Sequence, residues 1–245
     1  MPISPNFTSI LTKTWEVNFL QCYPNRLLKY TELCNILQLT AATHSEVGGI
    51  SFSDMQEFHQ AWVLSKMRVE ILRMPRWKDT ITVKTWIQSL ENSRSTRCLE
   101  VYLGEEKLIG CETFWAVMNT KTRRPEALAL PHQHFEKFPD DRATNQSFSK
   151  IDMGTERSVV AYRTVQLSDL DIVNHANNVK YLEWCLDEVD VAKIMSGKLQ
   201  SFEMNFMKEV ALGEELLIEK NSSKDQMVYS ITSAGKSCFA LELDF

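Results

Sequence analysis

Two stretches, Leu28-Lys29-Tyr30-Thr31-Glu32-Leu33-Cys34 and Val179-Lys180-Tyr181-Leu182-Glu183-Trp184-Cys185, carry Lys, Tyr, Glu and Cys at one spacing, 151 residues apart. Each lies in a run with apolar residues at helical spacing. In the first run, 26–43, these are Leu27, Tyr30, Leu33, Cys34, Leu37 and Ala41; in the second, 177–194, they are Val179, Leu182, Leu186, Val189 and Ile194. Gly48-Gly49 and Gly197 close the two runs. A strand pattern precedes each helix, at 12–22 and 158–166. Runs rich in Val, Ile, Thr and aromatic residues follow: 60–73, 79–90 and 95–119 (a hairpin turning at Gly104-Glu105), then 199–209, 214–221, 226–233 and 237–244. Lys78-Asp79 before ITVK also resembles Gly213-Glu214 before ELLIE. Chance could supply a few identities, but a shared element order points to duplication. The expected class is α+β, with one helix wrapped by an antiparallel sheet, written twice. Residues 1–124 form the first module and 156–245 the second. The polar, Pro-containing stretch 125–155 reads as a linker crossing the surface.

Composition narrows the function. With 245 residues and 44% hydrophobic content, each module can bury a core. A net charge of -5 argues against general binding of nucleic acid, which needs a basic face. No apolar run reaches the roughly 18 residues that span a bilayer. The start, Met-Pro-Ile-Ser-Pro, lacks a basic segment followed by an apolar one, so a cytoplasmic protein is expected. The six cysteines form no CxxC pair and read as reduced apolar residues. Nucleotide-binding and GxSxG hydrolase motifs are absent.

The copies differ most between strand and helix. The first passes from Cys22 to Arg26 through Tyr-Pro-Asn. The second runs Ser168-Asp169-Leu170-Asp171-Ile172-Val173-Asn174-His175-Ala176-Asn177-Asn178, which has more polar side chains than a turn requires. It opens a helix, so backbone N–H groups of Ala176, Asn177 and Asn178 could stabilise an oxyanion. A histidine beside them could orient a water or donate to a leaving group. The plain alternative is a polar N-cap with a solvated histidine. Asp169, Asp171 and His175 lack the further ligands of a metal centre, and no metal is expected. His44 and His59 read as surface or satisfied core residues, and His132 and His134 as solvated linker residues.

The segment Asp169-Leu170-Asp171 … His175-Ala176-Asn177-Asn178-Val179-Lys180-Tyr181 … Trp184 resembles the hallmark of acyl-acyl carrier protein thioesterases, close to D-L-D-x-N-x-H-V-N-N-x-K-Y. Trp62-Val63-Leu64-Ser65-Lys66-Met67, Pro75-Arg76-Trp77-Lys78-Asp79, Thr85-Trp86 and Met118–Arg124 resemble that family in the same order, and the likeness runs from about 12 to 242. The resemblance implies a tandem double hotdog fold and hydrolysis of fatty acyl-acyl carrier protein, with the chemistry in the second hotdog. It places the catalytic residues at Asp171, His175 and Glu209, with Asn174 as a candidate helper, since Val173 stands where the family often has Asn. The cysteine that plant members carry after the glutamate is Val210 here. For the acyl chain it implies Trp62, Leu64, Met67, Val69 and Ile71. An acidic carrier partner calls for a basic surface, for which Lys66, Arg68, Arg73, Arg76 and Lys78, and Lys121, Arg123 and Arg124, are the candidates. No cofactor is implied, a homodimer is compatible, and a bacterial cytosol is expected over a plant organelle. The rivals are a hotdog acyl-CoA thioesterase and a catalytically dead acyl-binding hotdog. A dehydratase fits less well, because Asp171 and Glu209 do not match the His and Asp of those enzymes.

Overall fold

In the computed structural model, which describes residues 3–154, 156–222 and 226–245, the chain divides into two units. They are Met1–Ser65 with Leu72–Gln146, and Lys66–Ile71 with Ser147–Phe245. Met1, Pro2 and Thr155, the last residue of the expected linker, lie outside the described residues.

The first unit contains β1 (Ile10–Glu16), α1 (Tyr30–Val47), α2 (Phe52–Gln56), the start of β2 (Gln60–Ile71), β3 (Thr80–Glu91), β4 (Arg94–Leu103) and β5 (Glu106–Asn119). Strands β1, β3, β4 and β5 pair antiparallel in that order. Helix α1 buries Tyr30, Leu33, Cys34, Leu37, Ala41 and His44, one stripe at 3.6-residue spacing, and packs on β3 and β1. The second unit contains β6 (Ser158–Thr164), α3 (Asn178–Leu186), α4 (Val191–Ser196), β7 (Ser201–Phe206), β8 (Glu215–Ser222), β9 (Gln226–Ser233) and β10 (Lys236–Asp244). Its antiparallel order is the end of β2, then β7, β10, β9, β8 and β6, with α3 on β10.

The element boundaries differ from the sequence reading for local reasons. Strand β1 stops at Glu16, because Asn18 and Gln21 box in a 3-10 turn over Phe19–Gln21. Helix α1 starts at Tyr30 and not Arg26, since Arg26 has φ 66°, outside the helical region. The expected helix 177–194 is two helices: α3 ends at Leu186, and the Asp190 carboxylate caps α4 by accepting the Ala192 and Lys193 N–H groups.

The duplication is visible in backbone hydrogen bonds. Cys22 N–H to Phe19 O, Tyr23 N–H to Leu27 O, Arg26 N–H to Tyr23 O and Lys29 N–H to Gln21 O have counterparts in the second unit. These are Leu170 to Leu167, Asp171 to His175, Asn174 to Asp171 and Asn177 to Asp169. The structural offset here is therefore 148 (Cys22 to Leu170), three fewer than the offset of the matching sequence segments. Tyr30 opens α1, while its sequence match Tyr181 lies inside α3 and corresponds in place to Leu33. The two strand-to-helix junctions, 17–29 and 165–177, are equally long, which corrects the expectation of a longer second one. The match of Lys78-Asp79 with Gly213-Glu214 is in register: Val17 N–H donates to Asp79 O, and Val165 N–H to Glu214 O.

Much of the expected linker is core. Leu128, Leu130 and Phe135 pack with Ile50, Met55, Ile87, Leu90 and Val117, and the division between units falls after Gln146. His132 and His134 are half-buried, not solvated, and hydrogen-bond to the Leu130 and Gly48 carbonyls. The segment lies so close to β5 that a Cβ on Gly110 would come 2.0 Å from the Ala143 carbonyl oxygen. Gly110→Ala is expected to cost about 1–3 kcal/mol through this overpacking, measured by urea denaturation.

Candidate active site

The junction 165–177 is built to present one imidazole. The Asp171 carboxylate accepts the N–H groups of Val173 (3.0 Å) and His175 (3.3 Å), an Asx turn that closes the loop. Asn174 takes the left-handed position at φ 64°, where asparagine is better tolerated than most residues. Arg26 occupies the same place at φ 66° in the first unit, so this position answers to the turn in both copies. Asn25 there caps the Leu27 N–H with its side chain. Val173, its counterpart, has no oxygen to offer, and Asp171 holds the corresponding His175 N–H instead.

Glu209 arrives from the loop between β7 and β8. That loop is anchored where the Ala176 N–H donates to the Val210 carbonyl (2.9 Å) and the Val210 N–H donates to the Tyr181 hydroxyl (3.0 Å). Farther along, Glu214 accepts from the Ser233 hydroxyl (2.6 Å), which holds its carboxyl below the usual range. These contacts bring His175 Nδ1 and Glu209 Oε2 to 3.5 Å, with side chains 32% and 38% exposed. An imidazole and a carboxylate so placed, open to solvent, can share the proton of a water.

The expected oxyanion donors are reduced in number. The Ala176 N–H is taken by Val210 and the Asn177 N–H by the Asp169 carbonyl at 2.8 Å. The Asn177 side chain accepts the Val179 N–H. The Asn178 N–H, at the first position of α3, has no acceptor among the described residues.

The expected acyl-chain residues fall into two sets. Trp62 packs against the Ile50–Phe135 cluster of the first unit and donates its indole N–H to Ile50 O. Met67 and Val69 pair with Met204 and Phe202 in the second unit, where all four are buried. Leu64 is buried in the first unit and Ile71 in the second. Among the basic candidates, Arg68 is withdrawn: it is 6% exposed and ion-paired to Glu70 and Glu203. Lys66 is tied to the Ser149 carbonyl and Arg73 to Glu106. Arg76, Lys78, Lys121, Arg123 and Arg124 are exposed. His44 is a satisfied core residue, and His59 is a surface one.

The first unit has the same corner without the histidine–glutamate pair. Leu28 N–H donates to Pro75 O there as Ala176 does to Val210 O, which sets Met74 in the place of Glu209. Tyr23 and Leu27 stand in the places of Asp171 and His175. Sequence reasoning missed Tyr181 as a site residue because the motif match aligned it with Tyr30.

The protein is therefore a twin of helix-in-sheet modules, of which the second brings an imidazole and a carboxylate, His175 and Glu209, together at its strand-to-helix corner. Models of the acyl-ACP thioesterase N-terminal domain and C-terminal domain match residues 9–130 and 153–245, and the chain belongs to this family. It is 28% identical over 235 residues to a chloroplastic palmitoyl-acyl carrier protein thioesterase of Cuphea hookeriana, covering 88% of this chain and 55% of that one. It spans about half the length of the curated relatives it matches. In fold it is similar to an acyl-ACP thioesterase from Bacteroides thetaiotaomicron VPI-5482 (TM-score 0.89, 23% identity, 97% of this chain and 98% of the other). It is similar also to a 12:0-ACP thioesterase from Umbellularia californica (TM-score 0.81, 21% identity, 97% of each chain). The fold is the tandem double hotdog. No helix among the described residues is long and apolar enough to cross a membrane.

Proposed function

We propose that this chain hydrolyses the thioester between a fatty acyl group and the phosphopantetheine arm of acyl carrier protein, releasing free fatty acid. The observation that carries the reading is the 3.5 Å approach of His175 Nδ1 to Glu209 Oε2, in a chain matched by the family's models in both halves. Glu209, with His175, orients a water and takes its proton as the oxygen attacks the thioester carbonyl. The Asn178 N–H, at the positive end of α3, faces the developing oxyanion. The C–S bond then breaks, and the thiolate leaves with a proton returned from the His175–Glu209 pair. Asp171 holds the loop that carries His175. Direct attack by Glu209 to give an anhydride is the variant mechanism. Neither route needs a thiol, in keeping with Val210 and with the burial of Cys185 and Cys238, which argue against a cysteine nucleophile. Six free cysteines fit a reducing cytoplasm as the compartment. Release of free fatty acid from acyl-carrier substrates of graded chain length tests the reading; binding without release would replace it with the acyl-binding alternative.

For carrier docking, the exposed Arg76, Lys78, Lys121, Arg123 and Arg124 are the candidates that remain. Lys78 and Arg26 flank the exposed Trp77 ring at 4.8 and 6.0 Å, an apolar and cationic surface suited to an acidic protein. The double variant Arg76→Glu/Lys78→Glu is expected to raise KM for the carrier-bound substrate about tenfold, with less effect at high salt. Acyl-pantetheine, which has no carrier, should be hydrolysed as by the wild type.

A further inference from the structure

The two reactive side chains flank one short backbone bridge. His175 precedes Ala176 and Glu209 precedes Val210, and the Ala176 N–H donates to the Val210 carbonyl. The peptide that joins Glu209 to Val210 is gripped separately, by donating its N–H to the Tyr181 hydroxyl at 3.0 Å. This second grip is dry: Val210 is fully buried and Tyr181 is 2% exposed.

The first unit supplies the contrast. The bridge from Leu28 to Pro75 is kept there, at 2.8 Å. Pro75, in the place of Val210, has no N–H to donate, and Leu33, in the place of Tyr181, has no hydroxyl to receive one. Donor and acceptor are missing together from the unit that carries Leu27 and Met74 where the other has His175 and Glu209. The corner folds without the grip, so its presence goes with the reactive pair.

We propose that Tyr181 is a positioning residue, whose hydroxyl fixes the 209–210 peptide and thereby holds the Glu209 carboxylate against His175. Burial pushes the Tyr181 phenol well above its ordinary value, so it meets the Val210 N–H as a neutral hydroxyl. This role rests on the hydrolytic reading of the site.

Tyr181→Phe removes only the oxygen and keeps the ring that packs on Trp184, Phe206 and Phe239. It is expected to lower kcat about tenfold or more with KM within about twofold. That loss should vanish in a Glu209→Gln background, because Tyr181 acts through that carboxylate. The nuclear Overhauser effect between the His175 ring and the Glu209 side chain, 3.5 Å apart at their nearest polar atoms in the wild type, should weaken in Tyr181→Phe. A tyrosine serving stability alone would lower the melting temperature and leave both kcat and the His175–Glu209 contact at wild-type values, and that result overturns the proposal. Should the wild type release no fatty acid at all, the hydrolytic reading fails, and the His175–Glu209 contact alone decides for or against the grip.

Discussion

Glu209→Gln and His175→Ala are each expected to lower thioester hydrolysis by about a hundredfold or more, while the circular dichroism spectrum and melting temperature stay near wild type. Glutamine keeps the shape of Glu209 but cannot accept the proton of the attacking water. Alanine removes the only imidazole within reach of that carboxylate among the described residues. Both side chains are about one-third exposed and neither is part of a buried hydrophobic cluster, so their loss should leave the core intact. Asp171→Ala should fall in the same direction by another route, since it frees the Val173 and His175 N–H groups and loosens the loop. Single-turnover measurement of fatty acid release distinguishes the cases. Near-wild-type rates in all three, with the fold intact, would remove the acid–base corner from the mechanism.

The second large effect concerns stability in acid. His44 is fully buried in the first unit, where its Nδ1 accepts from Arg97 (2.8 Å) and its Nε2–H donates to the Thr8 carbonyl (2.9 Å). Both Arg97 and His44 are removed from solvent, and no carboxylate pairs with Arg97 among the described residues. Burial, and then the neighbouring guanidinium, push the His44 imidazole down to about 3 from its ordinary 6.5. Between those two pH values the unfolded chain binds a proton that the folded chain does not. Stability is therefore full above pH 6.5 and declines as the pH falls toward 3. By pH 4 this one group should have cost on the order of 3 kcal/mol. His44→Gln retains a neutral acceptor for Arg97 and cannot titrate, so its own loss between pH 7 and pH 4 should be smaller by about that amount. Urea denaturation of both proteins at the two pH values is the measurement. Parallel losses would mean that His44 is protonated in the folded state.

Much of this molecule is written in its pattern of residues. The apolar stripes of α1 and α3 and the alternating strands gave the twin modules, because burial of one face leaves a period that survives in the chain. Asp171, His175 and Glu209 stood out through the family resemblance, and the polar crowding from Ser168 to Asn178 drew attention to the same loop. Three features were not legible. The register of the repeat was obscured because shared letters, Lys-Tyr-x-Glu-x-Cys, sit nearly one helical turn away from the positions that share hydrogen bonds. The contribution of Leu128, Leu130 and Phe135 to the first core was hidden by the prolines and polar residues around them, which describe a segment's backbone but not its burial. The ion pairs of Arg68 could not be foreseen either, since Glu203 lies 135 positions away and only strand pairing brings them together.

The backbone bonds shared by the two corners mean that the protein carries one frame twice, with different side chains upon it. Where one copy has histidine and glutamate, the other has already been given leucine and methionine, and the turn still closes with the same donors and acceptors. The frame does not depend on the histidine and the glutamate, so the side chains at those two positions can be exchanged without its being redrawn.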